Sequence, residues 1–289
     1  MQEWPGWRSL LFVPADNQRL LARAGGRGAD ACILDLEDAV APGDRPAARD
    51  GLADAVARLA AEGPAVLVRV NGGMRDQVRD LEACVGAGLA GVLIPKAETP
   101  HALVEADKLV TELEGERGLP PGRIRLVAMI ESARGLLAAP EIAAAGPRLA
   151  ALALGPEDLA LDLGGRPDAE LLTEPARRVV WAARAAGVEA LGFPGSIGNY
   201  SDLPLLRRQL TAARGLGFVG APCIHPAQIE PIHAAFAVSD EDYHWARRVV
   251  DAAGGFEGVC SVDGQMIDRP VLSRARALLA RAGRERTGS

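Results

Sequence analysis

Short apolar runs recur along the chain, separated by longer stretches with helical spacing. The runs are 8-RSLLFV-13, 31-ACILDL-36, 65-AVLVRV-70, 90-AGVLIP-95, 125-RLVAMI-130, 150-AALALG-155, 187-GVEALG-192 and 218-FVGAPCI-224. They are apolar on both faces, as expected of parallel strands covered by helices. Residues 45–61, 75–87, 99–115, 134–145, 170–186, 202–215 and 226–236 repeat Ala, Leu and Val at helical spacing. Several of these stretches stop at a glycine, among them Gly88, Gly187 and Gly217.

Eight strand–helix units predict an α/β fold of the (β/α)8 TIM-barrel type over residues 1–239. A doubly wound open sheet is disfavoured, because polar residues follow nearly every strand and not one switch point. No glycine-rich nucleotide fingerprint occurs. Residues 240–289 exceed what barrel closure requires and predict a C-terminal helical extension or lid. In it, helices over 240–253 and 270–283 flank a flexible Gly254–Gly258 and a turn at Val262-Asp263-Gly264.

Charge narrows the function classes. The formal net charge is −6 and aromatics are 4% of residues, which argues against nucleic-acid and anionic-membrane partners. No apolar run reaches the ~18–20 residues of a membrane span, and no signal peptide is visible. The cysteines, Cys32, Cys84, Cys223 and Cys260, form no C-x-x-C pair and read as free thiols. A cytoplasmic location is expected.

In such a barrel the chemistry lies at the C-terminal ends of the strands. Those ends supply Asp35-Leu36-Glu37-Asp38, Arg69-Val70-Asn71, Pro95-Lys96, Glu131-Ser132, Gly155-Pro156-Glu157-Asp158 and His225-Pro226. Crowded carboxylates repel one another unless a cation joins them, and a hard divalent ion such as Mg²⁺ suits oxygen donors. Glu131 and Asp158, on neighbouring strands, are the first choice as ligands, although acidic residues there also cap helices. Arg69 is either a fixed guanidinium for a carboxylate or oxyanion, or a salt-bridge partner of a strand-2 carboxylate. Lys96 is open to a Schiff base, phosphate binding or pairing with Glu37. The histidines read as structural.

The ordered motifs resemble the citrate lyase β-subunit (CitE-like) family within the HpcH/HpaI aldolase superfamily. They are Arg8-Ser9-Leu10-Leu11-Phe12-Val13-Pro14, Leu34-Asp35-Leu36-Glu37-Asp38-Ala39-Val40, Arg69-Val70-Asn71, Pro95-Lys96, Ile130-Glu131-Ser132-Ala133-Arg134-Gly135, Gly155-Pro156-Glu157-Asp158-Leu159 and Cys223-Ile224-His225-Pro226. The resemblance implies a Mg²⁺-dependent carbon–carbon lyase acting on a 3-hydroxyacyl-CoA of malyl-, citramalyl- or citryl-CoA type, yielding an acyl-CoA and a 2-oxo acid. It implies Glu131 and Asp158 as metal ligands, Arg69 as catalytic, Glu37 and Asp38 as the supporting acidic pair, and Arg8, Arg69 and Lys96 as substrate or CoA contacts. Residues 262–270, Val-Asp-Gly-Gln-Met-Ile-Asp-Arg-Pro, resemble the malyl-CoA and citramalyl-CoA lyase tail. That likeness implies Asp268 as a proton-transfer group capping a neighbouring subunit, and a homo-oligomer, trimer or hexamer. Residues 192–200 depart from the acidic pattern associated with many relatives, which bears on acyl specificity. The alternatives are a class II aldolase for free 2-oxo acids, a Lys96 Schiff-base aldolase, an acyl-CoA thioesterase and a non-catalytic assembly subunit.

Overall fold

The structure, a computed structural model, describes residues 4–254, 260–262 and 264–287. It divides into two compact units, residues 1–235 and 236–289.

In the first unit eight parallel strands follow one another in order: β1 (Ser9–Pro14), β2 (Ala31–Asp35), β3 (Ala65–Arg69), β4 (Leu89–Ile94), β5 (Arg125–Ile130), β6 (Leu149–Leu154), β7 (Glu189–Leu191) and β8 (Ala221–Cys223). The hydrogen-bonded order β7-β6-β5-β4-β3-β2-β1-β8 is that of a barrel. A parallel bridge between Leu191 and Gly220 brings β7 to the edge of β8. At that seam Gly192 N donates to Gly220 O at 2.8 Å and Val219 N to Ala190 O at 3.0 Å. Gly220 must be glycine, since a Cβ there would stand 2.6 Å from Arg8 O. Leu10, Ile33, Leu67, Leu93, Val127 and Leu191 belong to one buried cluster at the core, with Ala151 and Ala153 as its smaller members.

The register sets the active end. Pro14 pairs with Asp35, and Asp35 pairs with Arg69. Ile130 pairs with Leu154. The C-terminal ends of β1–β3, and of β5 and β6, are therefore level, and the residues that follow them share one rim.

The helices depart from the expected pattern in several places. The stretch over 45–61 breaks at Gly51 into Arg45–Asp50 and Leu52–Glu62, and 134–145 breaks into Ala133–Leu137 and Ala139–Ala143. Two short helices escape the periodicity, Gln18–Ala24 and Pro156–Asp162. The first is started by Asn17, whose side chain accepts from Leu20 N. The second begins with Pro156 in its first turn, where a missing amide is tolerated.

The second unit packs helices Asp240–Ala253 and Arg269–Thr287 around Ala246, Val249, Ile267, Leu272 and Ala275. Between them β9 (Cys260–Val262) and β10 (Gln265–Ile267) form an antiparallel hairpin, where the sequence had suggested only a turn. Residues 255–259 and Asp263 lie outside the described residues. No described helix is long and apolar enough to cross a membrane.

Away from the rim, Arg148 ties helix Pro100–Glu116 to the start of β6. It donates to Glu114 Oε1 at 2.9 Å and Oε2 at 3.0 Å, and to Thr111 Oγ1 at 2.8 Å. Glu114 also accepts from Gly122 N and Ile124 N. Removing one partner of a buried ion pair strands the other. Arg148→Leu is expected to lower stability by about 3 kcal/mol in denaturant unfolding.

Candidate active site

The C-terminal rim opens into a cleft of about 690 Å³, lined among others by Phe12, Asp35, Asp38, Arg69, Glu131 and Asp158. Arg69 is its centre. It ends β3 beside Asp35 and is almost fully buried. Its Nε and Nη2 donate to the two oxygens of Asp35, both at 2.7 Å. Nη1 lies 2.9 Å from Glu37 Oε2 and donates to Asp38 Oδ2 at 3.3 Å. The ring of Phe12 supports the guanidinium at 5.0 Å. The salt bridge to strand 2 therefore exists, and it is bidentate. Three of its five N–H groups donate to Asp35 and Asp38, while Glu37 Oε2 is paired by charge without a hydrogen bond, which leaves one N–H on each of Nη1 and Nη2. Burial opposes the charge on Arg69, but Asp35, Glu37 and Asp38 more than offset it and raise its pKa.

Asp35 organises this end, a role its sequence motif did not reveal. Besides binding Arg69 it accepts from Glu37 N at 3.0 Å and Ala39 N at 3.2 Å, which fixes the loop carrying Glu37 and Asp38. Its position opposite Arg69 in the strand register was the available signal. Asn71 links the same ends, with Nδ2 donating to Leu36 O at 3.0 Å and to Asp80 Oδ2 at 2.8 Å.

Lys96 Nζ lies 2.8 Å from Glu37 Oε1 and 3.6 Å from Asp38 Oδ1. Of the three readings left open for Lys96, pairing with Glu37 is the one seen. Its backbone N–H donates to Glu131 Oε1 at 2.6 Å. Glu131 follows β5 directly and is buried. Asp158 sits further on, in the first turn of the helix after β6, and not at the strand end itself. Glu157 beside it accepts from Ser196 Oγ at 2.6 Å and from Gly198 N, tethering the loop after β7. In that loop Tyr200 stacks on His225 with centroids 4.5 Å apart. His225 Nδ1 accepts from Ala227 N at 3.1 Å, capping the turn after β8.

One expected residue lies at the other end of the barrel, and one belongs to the second unit. Arg8 precedes β1, so it sits at the N-terminal end of the barrel. There it pairs with Asp30, which precedes β2, at 3.6 Å. Parallel strands all point one way, so a residue before a strand cannot share the rim with residues after it; Arg8 is not a cleft residue. Asp268 is in the second unit. Its Oδ1 accepts from Val271 N at 3.1 Å at the start of helix Arg269–Thr287.

Five carboxylates, Asp35, Glu37, Asp38, Glu131 and Asp158, thus face two cations, Arg69 and Lys96. Burial, with repulsion from Glu37 and Asp158, pushes Glu131 up to about 7. Burial likewise raises Glu37, with Asp38 adding to it. Carboxylates uneasy in their charged form and open to a cleft are a donor set that a hard divalent cation relieves. The residues therefore fit a Mg²⁺ ion, although among the described residues no three His, Cys, Asp or Glu groups cluster as ligands. Two protein carboxylates with water and substrate oxygens is the usual style for Mg²⁺.

The sequence matches the model of the HpcH/HpaI aldolase/citrate lyase family over residues 8–226. The chain belongs to that family of carbon–carbon lyases. Residues 169–284 also match a carbon–carbon bond lyase of the TIM-barrel fold. Citrate lyase subunit beta of Leuconostoc mesenteroides subsp. cremoris is 34% identical, over 94% of this chain and 92% of that one. The (3S)-malyl-CoA thioesterase of Cereibacter sphaeroides is 35% identical, over 96% and 94%. The crystal structure of CitE from Mycobacterium tuberculosis, in complex with magnesium, acetoacetate and coenzyme A, superposes with a TM-score of 0.76 at 34% identity. It covers 97% of this chain and 100% of that one.

A carboxyl whose pKa is raised on folding favours the native state while protonated, at low pH. That contribution is lost as pH rises from the unfolded value near 4.5 through about 7. In metal-free protein, Glu131→Gln is therefore expected to raise Tm at pH 8 and to change it little at pH 5. Equal shifts at both pH values would show that Glu131 does not carry this charge.

Proposed function

We propose that the chain is a Mg²⁺-dependent lyase that cleaves or forms a 3-hydroxyacyl-CoA of malyl-, citramalyl- or citryl-CoA type, releasing acetyl-CoA or a related acyl-CoA and a 2-oxo acid. The observation that carries this reading is the meeting of Glu131 and Asp158 with Arg69, Asp35 and Asp38 in one cleft, with Glu37 and Lys96 bound to these residues. The magnesium and coenzyme A of the CitE complex support it. Glu131 and Asp158 would hold the metal, which when bound supplies Lewis-acid polarisation of a 2-oxo acid carbonyl.

The protein groups then divide the work. In the synthetic direction a carboxylate takes a proton from the acyl-CoA carbon next to the thioester. That carbon bonds to the carbonyl carbon of the 2-oxo acid, and the carbonyl oxygen ends as a hydroxyl; cleavage reverses these steps. The N–H groups of Arg69 that Asp35 and Asp38 leave free are suited to the oxygen on which charge develops. Asp35 and Phe12 keep the guanidinium in place, so little reorganisation is needed. The proton-transfer carboxylate we assign to Asp268 of a neighbouring subunit in a homo-oligomer, a trimer or hexamer, on the likeness of residues 262–270 to the longer lyases.

Hydrolysis of the thioester is the second reading, favoured by the malyl-CoA thioesterase relative. The products decide between them: a lyase releases an acyl-CoA with a 2-oxo acid, whereas a thioesterase releases free CoA with an intact hydroxy acid. Malyl-, methylmalyl-, citramalyl- and citryl-CoA, each with and without Mg²⁺, are expected to yield the first pair for at least one substrate, and only with Mg²⁺. Turnover of none of them, or undiminished turnover in chelator, would refute the assignment.

Arg69→Lys keeps the charge but loses the planar fork. It is expected to lower kcat and kcat/KM together, by about 10²-fold or more. A change confined to KM would make Arg69 a binding group only. Asp268→Asn and Arg69→Ala chains, each nearly inactive, are expected to regain activity when co-assembled. No recovery in confirmed hetero-oligomers would rule out a shared site.

A further inference from the structure

Among the described residues, Lys96 is the one non-glycine with a positive φ, 47°. A Cβ in this region crowds the following carbonyl, which disfavours it by about five- to thirtyfold against right-handed or extended backbone. Such a conformation persists only where contacts hold it. Here the contacts are both in the acidic site. Lys96 lies just beyond β4, and its amide donates to Glu131 Oε1 at 2.6 Å, while its ammonium reaches Glu37 Oε1 at 2.8 Å. The next residue is tied back to β5, where Ala97 N donates to Met129 O at 3.0 Å. The turn at Lys96 delivers its N–H to a carboxylate.

The other side of Glu131 is equally constrained. A Cβ on Gly155 would stand 2.4 Å from Glu131 Oε2 and 2.6 Å from its Cβ. Glu131 is therefore held between an amide supplied by a strained lysine and a space left by a glycine. Arg69, Glu37, Lys96 and Glu131 form one chain of contacts from β3 to β5.

We propose that Lys96 is a positioning residue whose left-handed backbone, held by its ion pair with Glu37, sets the orientation of Glu131 for the metal. This role stands beside the expected substrate contact of Lys96, and it rests on the reading of Glu131 as a Mg²⁺ ligand. Side chain and backbone act together: the ammonium grips Glu37, the grip keeps the backbone turned, and the turned backbone holds Glu131.

Two substitutions separate backbone from charge. Lys96→Gly removes the ammonium but adopts the left-handed region freely. Lys96→Ala removes the same charge and leaves the strained backbone with no ion pair to hold it. If charge alone matters, the two bind Mg²⁺ equally. If positioning matters, calorimetric titration of the metal-free proteins with MgCl₂ should show the alanine variant binding about five- to thirtyfold more weakly than the glycine variant. Kinetically, the glycine variant should recover kcat relative to alanine, with similar KM for the acyl thioester in both. Equal Mg²⁺ affinities, or an equal rise in KM with kcat unchanged, would overturn the proposal. Should Lys96→Ala not fold by circular dichroism, Lys96→Asn, which tolerates the left-handed region, and Lys96→Thr, which does not, repeat the contrast. Wild-type protein that takes up no Mg²⁺ would remove the metal reading itself. Wild-type binding with no difference between the variants would remove only the role of Lys96.

Discussion

A guanidinium buried at the mouth of an apolar barrel needs carboxylates, and Arg69 gathers three of them. Burying a charge is costly unless it is paired and hydrogen-bonded. The bidentate bond to Asp35 meets that requirement and in doing so fixes the guanidinium plane. Asp35 then orders the loop that presents Glu37 and Asp38, Glu37 binds Lys96, and the amide of Lys96 reaches Glu131. The order of the acidic rim thus descends from one pair set by strand register. The same network carries more carboxylates than cations, and the proposed divalent cation would offset that surplus.

Barrel polarity explains why so much of this was legible in the sequence. Parallel strands buried on both faces read as plain apolar runs, and the rule that chemistry follows them picked out Glu37, Arg69, Lys96 and Glu131 without knowledge of function. The failures have physical causes too. Arg8 belongs to a matching motif but precedes its strand, and motif membership carries no information about which end of a strand a residue occupies. Asp158 falls one helical turn beyond β6, because Pro156 starts a helix too short to show periodicity. Helix Gln18–Ala24 is equally short, and its signal is a cap at Asn17 rather than a repeat. A salt bridge from Arg69 to a strand-2 carboxylate was one expected reading, but that Asp35 is the bidentate partner depends on inter-strand register, which a single chain does not display. The strain at Lys96 was invisible for the same reason, since lysine is not a residue type that announces a left-handed turn.

The site also separates what is rigid from what can adapt. The residues that hold charge in place come from strand ends and their immediate successors, tied by short bonds across β2 to β5. The loop after β7, with Tyr200 stacked on His225 and Ser196 bound to Glu157, borders the cleft by exposed and more local contacts. A fixed charged centre bordered by a loop lets the scaffold hold the reacting groups while the loop shapes the pocket.

The central claim is that the surplus of carboxylates exists to hold one divalent ion between Glu131 and Asp158. Anomalous scattering from crystals soaked in Mn²⁺, which shares the oxygen preference of Mg²⁺, locates such an ion directly. The predicted result is a single strong peak within about 2.1–2.2 Å of a carboxylate oxygen of each residue. A peak that touches neither residue, or no peak in the cleft at all, would contradict it.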